Sequence, residues 1–353
     1  MRNLRHASIP KFDVGSFCRL FFANRINYLA DDTQYVDTPD ATRPFAAYYH
    51  QHIFPQVKTF EAKRIEALEQ FRKRSWMVLP VMLLVIALTA IGLGMVHKSH
   101  EFVLFVSFAA LSGLVFYASM PVLNYKVAVK EHIFPKIFKF FGEEFSYHGE
   151  GLLSVRELEP SELIPSYDDE ATEDYVKGSY DGVAIEFTEA KLTRETTDSK
   201  GRRRTTQVFR GMFVLFSMNK PFTGKTIIKR DGGWVGNWLG KKFNTLELVT
   251  LEDPTFEKAF QVYASDQVEA RYLLTTSFME RLLQLDELYN RAGLQASFYG
   301  DKLLLMIPSR NRFETASIFY PATFIDDIRM ILAEMHELFR VIDVLKLNQR
   351  IGL

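Results

Sequence analysis

The sequence predicts an α+β fold in which a two-helix transmembrane hairpin precedes a domain with a mainly antiparallel sheet and C-terminal helices. Two apolar runs without a charged residue, 76–96 and 102–123, indicate the hairpin. Alternation of apolar and polar residues over 183–188 is typical of a half-buried strand. An apolar stripe at steps of three and four over 325–342 predicts a long helix, which either packs in the core or joins a coiled coil.

The two apolar runs have the length that a membrane span requires. As helices they extend about 31–33 Å each, and the hydrocarbon core of a bilayer is about 30 Å thick. Lipid offers no hydrogen bonds to the backbone, so the segments must be helical. The alternative is a helical hairpin buried in a soluble protein, but soluble helices of this length keep a polar stripe. A lipid bilayer is therefore the first expected partner.

Positively charged residues flank the predicted hairpin and are rare in its connecting loop. The loop at 97–101 carries Lys98 alone. Because cytoplasmic segments next to membrane spans are enriched in lysine and arginine, both flanks and both termini are expected in the cytoplasm. The flanking residues are Lys63, Arg64, Arg72, Lys73, Arg74, Lys126, Lys130, Lys136 and Lys139.

Composition excludes several classes of function. The chain of 353 residues carries 43 basic and 43 acidic side chains, so its formal net charge is zero. Non-specific nucleic-acid binding needs an excess of basic residues, and no nucleic-acid partner is expected. Cys18 is the only cysteine, which excludes an intramolecular disulfide. Arg19 and Arg25 interrupt the Phe-rich start of the chain, so no signal peptide is predicted.

The pattern divides the chain into five parts. The N-terminal segment contains a predicted amphipathic helix at 12–29, which lies at the membrane interface or packs on the domain. Two stalks, each with the motif His-Ile-Phe-Pro, are predicted to be helical. The parts are an N-terminal segment (1–46), a first stalk (47–75), the hairpin (76–123), a second stalk (124–146) and an α+β domain (147–353).

The domain is predicted to be rich in strands. Residues 205–218 are apolar on both faces, which indicates a central strand. Hairpin turns are predicted at 198–201 and 300–301, and the acidic stretch 168–174 is predicted to be a loop. Further strands are predicted at 224–230, 244–250 and 257–264.

The domain is short of groups that support catalysis. His148 and His336 are its only histidines and it has no cysteine, so Cys–His catalysis and a His-rich zinc site are disfavoured. Gly224-Lys-Thr resembles the end of a phosphate-binding loop, but the required earlier glycine is Asn219 and β-branched residues follow. We therefore predict no catalytic residue, no metal ligand and no cofactor.

Two features are candidates for partner binding. Trp234 and Trp238 lie in a glycine-rich loop and either contact a partner or the membrane interface, or fold back onto the sheet. Arg202, Arg203 and Arg204 at a hairpin tip either contact anionic headgroups or an acidic partner, or are a solvated charge cluster.

One stretch carries a family resemblance. The segment LEDPTFEKAFQVYASDQVEARYLLT (251–275) follows FRGMF (209–213) and precedes FMERL (278–282) and LKLN (345–348). In this order the motifs resemble the bacterial membrane proteins of the domain of unknown function 3137 family. The resemblance implies a bacterial inner-membrane protein and brings no established activity or catalytic residue. Arg271 is interpreted as a helix-surface residue, with ligand or partner binding as the alternative.

These observations favour a membrane-anchored, non-enzymatic scaffold whose cytoplasmic domain binds a protein partner or a second copy of itself. The alternative is a membrane-tethered enzyme or small-ligand sensor with a pocket in the α+β domain. A channel or transporter is disfavoured because the two spans contain no ionisable residue.

Overall fold

The computed structural model describes residues 35–37, 44–95, 100–197, 201–218, 221–230, 246–289 and 293–345. These residues form two compact units. The helical unit contains the described residues up to 137 together with 315–328, and the sheet unit contains 138–314 and the described residues from 329 onward. The segment 315–328, which the sequence pattern assigns to the α+β domain, is thus part of the helical unit.

The helical unit is dominated by two long helices. An Asp37 carboxylate accepts hydrogen bonds from the backbone amides of Phe45 (2.7 Å) and Ala46 (3.2 Å), which have no carbonyl partner at a helix start. The elements are α1 (Ala46–Tyr48), a π-helical turn (Tyr49–Ile53), α2 (Phe54–Met95), α3 (His100–His132) and α4 (Phe134–Lys139), which leads into the sheet unit.

The two long helices run antiparallel. Thr89 of α2 contacts Ser107 of α3, and Arg74 contacts Tyr117, so residues later in α2 meet residues earlier in α3. The face of α2 before the apolar run buries Val57, Phe60, Ala67, Leu68 and Phe71 at helical spacing.

The sheet unit is built on one antiparallel sheet. Among the described residues it has nine strands in the order β1-β2-β3-β4-β9-β8-β5-β7-β6. Each neighbouring pair is antiparallel, so the predicted fold class is confirmed. The strands are β1 (Ser146–Glu150), β2 (Asp169–Tyr180), β3 (Val183–Thr197), β4 (Arg203–Ser217), β5 (Thr226–Arg230), β6 (Glu247–Val249), β7 (Phe260–Ala264), β8 (Gln295–Tyr299) and β9 (Lys302–Pro308).

The second half of the strand β4 lies between β3 and β9, and its residues 211–216 are buried on both faces, whereas residues 203–207 are exposed. Phe213 and Phe216 are fully buried, and Phe209 and Leu215 are nearly so. A strand covered on both faces needs a continuous apolar run instead of alternation, and the sequence has that run here. The prediction of a central strand at 205–218 is confirmed.

Helices cover the sheet unit. Within the last helix, α8 (Ile325–Leu345), the side chains of Ile331, Met335, Leu338 and Ile342 are buried, and Phe339 stacks on Tyr180 with ring centroids 4.0 Å apart. The apolar stripe therefore serves core packing, the first of its two interpretations. The helices are a 3-10 helix (Val155–Ser161), α5 (Pro254–Ala259), α6 (Gln267–Leu273), α7 (Thr276–Leu288) and α8 (Ile325–Leu345).

The prediction of a loop at 168–174 is wrong, because these residues begin the strand β2. The turn Asp181-Gly182 joins β2 to β3 with positive φ at both residues (49° and 77°), which is the backbone of a two-residue hairpin turn. Along this part of β2 the side chain of Asp169 is exposed and those of Glu170 and Glu173 are partly exposed, whereas Asp174 is buried.

The predicted strand at 257–264 is correct only in its second half. Asp253 accepts hydrogen bonds from the amides of Thr255 (2.8 Å) and Phe256 (3.1 Å), and Pro254 occupies the first turn. This N-cap and proline start the helix α5, and the strand begins only at Phe260.

Gly211 shows how closely β4 and β9 approach. A Cβ atom at this position would lie 2.1 Å from the Ile307 carbonyl oxygen, and a backbone atom cannot move away cheaply. We expect Gly211→Ala to lower the free energy of unfolding by about 2 kcal/mol, as overpacking does. The measurement is thermal unfolding of the detergent-solubilised chain. Gly113→Ala, where nothing lies within 4 Å, is the control. Equal stability of the two variants would contradict the expectation.

Candidate functional site

In the part of the chain that the structure describes, α2 and α3 expose a long apolar exterior. Both helices are long and apolar enough to cross a membrane, and only 6% and 11% of their most apolar stretches are buried. Water-soluble proteins rarely expose a continuous apolar surface of this size. The exposed large side chains include Trp76, Leu83, Leu84, Leu88, Phe102, Phe105 and Phe108.

The hydroxyl groups of Thr89 and Ser107, in the apolar runs of α2 and α3, have hydrogen-bond acceptors on protein. Thr89 Oγ1 donates to the Val85 carbonyl (2.7 Å) or to Ser107 Oγ (2.6 Å), and Ser107 Oγ donates to the Val103 carbonyl (2.7 Å). Such partners offset the cost that an unpaired hydroxyl has in apolar surroundings. The Thr89–Ser107 contact also joins the two helices, as polar pairs do in membranes.

A buried polar cluster lies in the helical unit on the part of α2 that precedes the apolar run. Arg64 is fully buried, and its guanidinium donates to both Glu61 carboxylate oxygens (2.8 and 2.7 Å) and to the Ile318 carbonyl (2.8 Å). Glu61 also accepts from the Ala322 amide (2.8 Å). We call Glu61, Arg64 and Asp327, with the segment 315–328, the polar clasp.

Asp327 is the second carboxylate of the polar clasp. It is 4% exposed and accepts a hydrogen bond from the Ala316 amide (2.6 Å). Burial raises the pKa of Asp327 to about 6, and the amide hydrogen bond and Lys126 offset part of this effect. Burial also raises the pKa of the neighbouring Tyr125 hydroxyl, with Asp327 adding to the effect.

Aromatic contacts complete the clasp. The rings of Phe60 and Phe324 meet edge to face with centroids 5.5 Å apart, and the Tyr49 hydroxyl donates to the Thr323 carbonyl (3.0 Å). Phe324 has φ of 59°, a left-handed conformation that costs energy for an aromatic residue. The clasp thus binds 315–328 to α2 by charge, hydrogen bonds and ring packing together.

The sheet unit contains a group of three carboxylates. Glu173 and Asp174 of β2 lie next to Glu189 of β3, with ligand atoms within 4.8 Å of one another. By geometry, these oxygens are able to hold a hard cation. The Tyr147 hydroxyl donates to Asp174, and burial, followed by the Asp174 charge, raises the pKa of Tyr147.

The same carboxylates hold a loop to the sheet. Glu189 accepts from the amides of Arg312 (2.5 Å) and Phe313 (3.3 Å), and Glu173 accepts from the Asn311 side-chain amide (2.6 Å). Glu189 and Glu173 therefore have a structural role, since Glu189 satisfies two backbone amides, and Glu173 a side-chain amide, of the loop between β9 and α8.

The structure places the predicted arginines on different elements. Arg202, Arg203 and Arg204 are exposed at the β3–β4 tip, where Arg203 lies 3.9 Å from Glu195. Arg271 is exposed on α6 and donates to Gln267 (3.3 Å). Partner binding at these residues stays a prediction. Trp234 and Trp238 lie outside the described residues.

The loop that resembles the end of a phosphate-binding loop already has an anionic partner. The Glu269 carboxylate accepts from the backbone amides of Thr223 (2.7 Å) and Gly224 (2.6 Å), and Lys225 pairs with Glu162. A carboxylate of the chain itself occupies the amides that a phosphate would need, which agrees with the rejection of that motif.

Sequence reasoning missed the polar clasp and the carboxylate group. Arg64 stands at helical spacing between Phe60, Ala67 and Leu68, so its place on an apolar stripe was a visible sign of burial. To predict the carboxylate group, one would have needed the register of the β2–β3 pairing, in which Glu173 lies opposite Glu189.

The fold and surface define a class: an α+β protein with a nine-stranded antiparallel sheet in its described residues and two long helices apolar enough to cross a membrane. Residues 207–347 match the family model described as "Protein of unknown function (DUF3137)", which confirms the resemblance found in the sequence. No curated protein matches the chain.

One solved structure with a detectable match is the crystal structure of the mycobacterial trehalose monomycolate transport factor A, TtfA. The match covers 60% of this chain and 95% of that chain at 13% identity, with a TM-score of 0.31. A likeness at this level carries no argument about function.

Proposed function

We propose that the protein is a membrane-anchored, non-enzymatic scaffold of the bacterial inner membrane. The helices α2 and α3 cross the bilayer as a hairpin, and the sheet unit binds a protein partner or a second copy of the chain near the membrane surface. The observation that carries the proposal is the exposed apolar exterior of the two antiparallel helices. That surface is costly in water and favourable in lipid.

Charge distribution supports the proposed orientation. Lysine and arginine residues lie at the ends of α2 and α3 that are remote from their connection, which contains Lys98 alone. This asymmetry favours a cytoplasmic location for both termini and for the sheet unit.

The packing of charges in the sheet unit supports a role in binding over catalysis. Several charged groups pair with one another inside the unit, including Arg230 with Asp286 (3.0 Å) and Arg312 with Glu334 (2.6 Å). The arginines at the β3–β4 tip and Arg271 are exposed and suit contact with an acidic protein surface.

Site-specific photocrosslinking in membranes tests the proposal. A photoreactive amino acid replaces Arg203 or Arg271, and Arg340, an exposed arginine of α8, is the control position. Two differently tagged copies of the chain are coexpressed, so a homo-oligomer and a foreign partner give distinct products. We expect a discrete adduct from position 203 or 271 and none from position 340. Monomer alone from all three positions would contradict partner binding at these surfaces.

A further inference from the structure

Pro121 interrupts the hydrogen-bond ladder of α3 inside the predicted second span. Proline has no backbone N–H, so the carbonyl of the residue four positions earlier, Tyr117, loses its intrahelical donor. An unsatisfied carbonyl at the edge of the hydrocarbon region is unfavourable, because lipid cannot supply a donor. The break therefore needs a donor from outside α3.

Arg74 of α2 supplies that donor. Its Nη1 atom lies 3.2 Å from the Tyr117 carbonyl oxygen, and its guanidinium carbon lies 4.9 Å from the centre of the Tyr117 ring. One arginine thus makes a charged hydrogen bond and a cation–π contact with the same residue. Arginine suits this geometry because its planar group carries five donors and is less strongly hydrated than an ammonium group.

The position of Arg74 in the chain gives the contact a further consequence. Arg74 is the last charged residue before the apolar run of α2, and Tyr117 lies near the end of the apolar run of α3. Both therefore lie at the same end of the antiparallel hairpin. A guanidinium tied to the second span at this level resists movement of either helix along the other, and its charge resists deeper insertion.

We propose that Arg74 is the positioning residue of the hairpin. It donates to the Tyr117 carbonyl the hydrogen bond that Pro121 cannot donate, and it thereby fixes the register of the two spans. This inference rests on the proposed membrane location of α2 and α3. The neighbouring Lys73 carries the same charge, is exposed, and provides a matched control for the loss of a cation at this level.

A double-mutant cycle on the full chain in lipid nanodiscs tests the proposal. The variants are Arg74→Ala, Pro121→Ala and their combination, with Arg74→Lys and Lys73→Ala alongside. Alanine at position 121 restores an N–H that donates to the Tyr117 carbonyl within α3. The effect of Arg74→Ala on stability should therefore be smaller in the Pro121→Ala background. We expect Arg74→Ala to shift the unfolding equilibrium about tenfold, and less than threefold in the Pro121→Ala background. Lys73→Ala should shift it less than threefold.

A second readout is the separation of spin labels on the two helices at Leu84 and Val115. Arg74→Ala should broaden the distance distribution with Pro121 present and leave it narrow with alanine at 121. Equal effects of Arg74→Ala in both backgrounds would overturn the proposal. If Arg74→Ala fails to fold, rescue by Pro121→Ala still supports it, and failure of rescue overturns it. Wild-type protein that stays soluble without lipid would instead refute the membrane location, which is a separate outcome.

Discussion

Replacement of Arg64 by methionine is expected to lower the free energy of unfolding of the helical unit by about 3–5 kcal/mol. The substitution keeps much of the side-chain volume but leaves the Glu61 carboxylate buried without its guanidinium partner. The Ile318 carbonyl also loses its donor, so the segment 315–328 should detach from α2. The measurement is denaturant unfolding in detergent, with the rate of proteolysis within 315–328 as a local readout.

Two comparisons separate loss of the ion pair from loss of a charge. Lys58→Met removes an exposed cation from the same helix and should change stability by less than about 0.5 kcal/mol. Glu61→Leu combined with Arg64→Met removes both charges and should cost less than Arg64→Met alone. If the double variant is the less stable of the two, the account of Arg64 as the necessary partner of a buried carboxylate is wrong.

Asp327→Asn is expected to stabilise the helical unit at pH 8 by about 3 kcal/mol and to have little effect near pH 4. The pKa of Asp327 is raised from 3.8 to about 6 by burial, so the folded chain binds this proton more tightly than the unfolded chain. Its favourable contribution is therefore fully present below about pH 4 and is lost as the pH rises through 6. Asparagine retains an acceptor for the Ala316 amide without the charge.

The pH profile of unfolding of the full chain in detergent checks this expectation. The difference between Asp327→Asn and the wild type should grow between pH 4 and pH 6 and then level off. Glu69→Gln, which removes an exposed carboxylate from α2 in the same unit, is the control and should change stability by less than about 0.5 kcal/mol across this range. A difference that is independent of pH, or a variant less stable than the wild type at pH 8, would contradict the assignment of the raised pKa to Asp327.

Most of the fold could be predicted because its strands, hairpins and helices are specified by residues that are close together in the sequence. The central strand β4, the β8–β9 hairpin and the stripe on α8 each follow from residues close in sequence. The strand β2 was missed because its acidic composition outweighed the Asp181-Gly182 turn signal that follows it. An Asp-Gly pair between two β-rich runs is a strong hairpin indicator, and its use would have paired 168–180 with β3.

Spacing indicated the burial of Arg64 but could not predict which residues the polar clasp joins. Arg64 and Glu61 are neighbours on one helix, but their backbone partners Ile318 and Ala322 lie about 250 residues further along the chain. No periodicity connects positions at that separation. The Arg74–Tyr117 contact was easier to predict. In an antiparallel hairpin, Arg74 lies level with Tyr117, whose carbonyl lacks an intrahelical donor because of Pro121.

The most direct test of the central claim is the accessibility of single cysteines in intact bacterial cells. Cys18→Ser gives a cysteine-free chain, into which cysteine is introduced at Lys73, Leu84, Glu101 or Phe105. A membrane-impermeant maleimide should label position 101 in intact cells, label position 73 only after lysis, and label 84 and 105 only after denaturation. Labelling of positions 84 and 105 in native membranes as rapid as that of position 73, or recovery of the chain in the soluble fraction without detergent, would contradict a membrane-spanning hairpin.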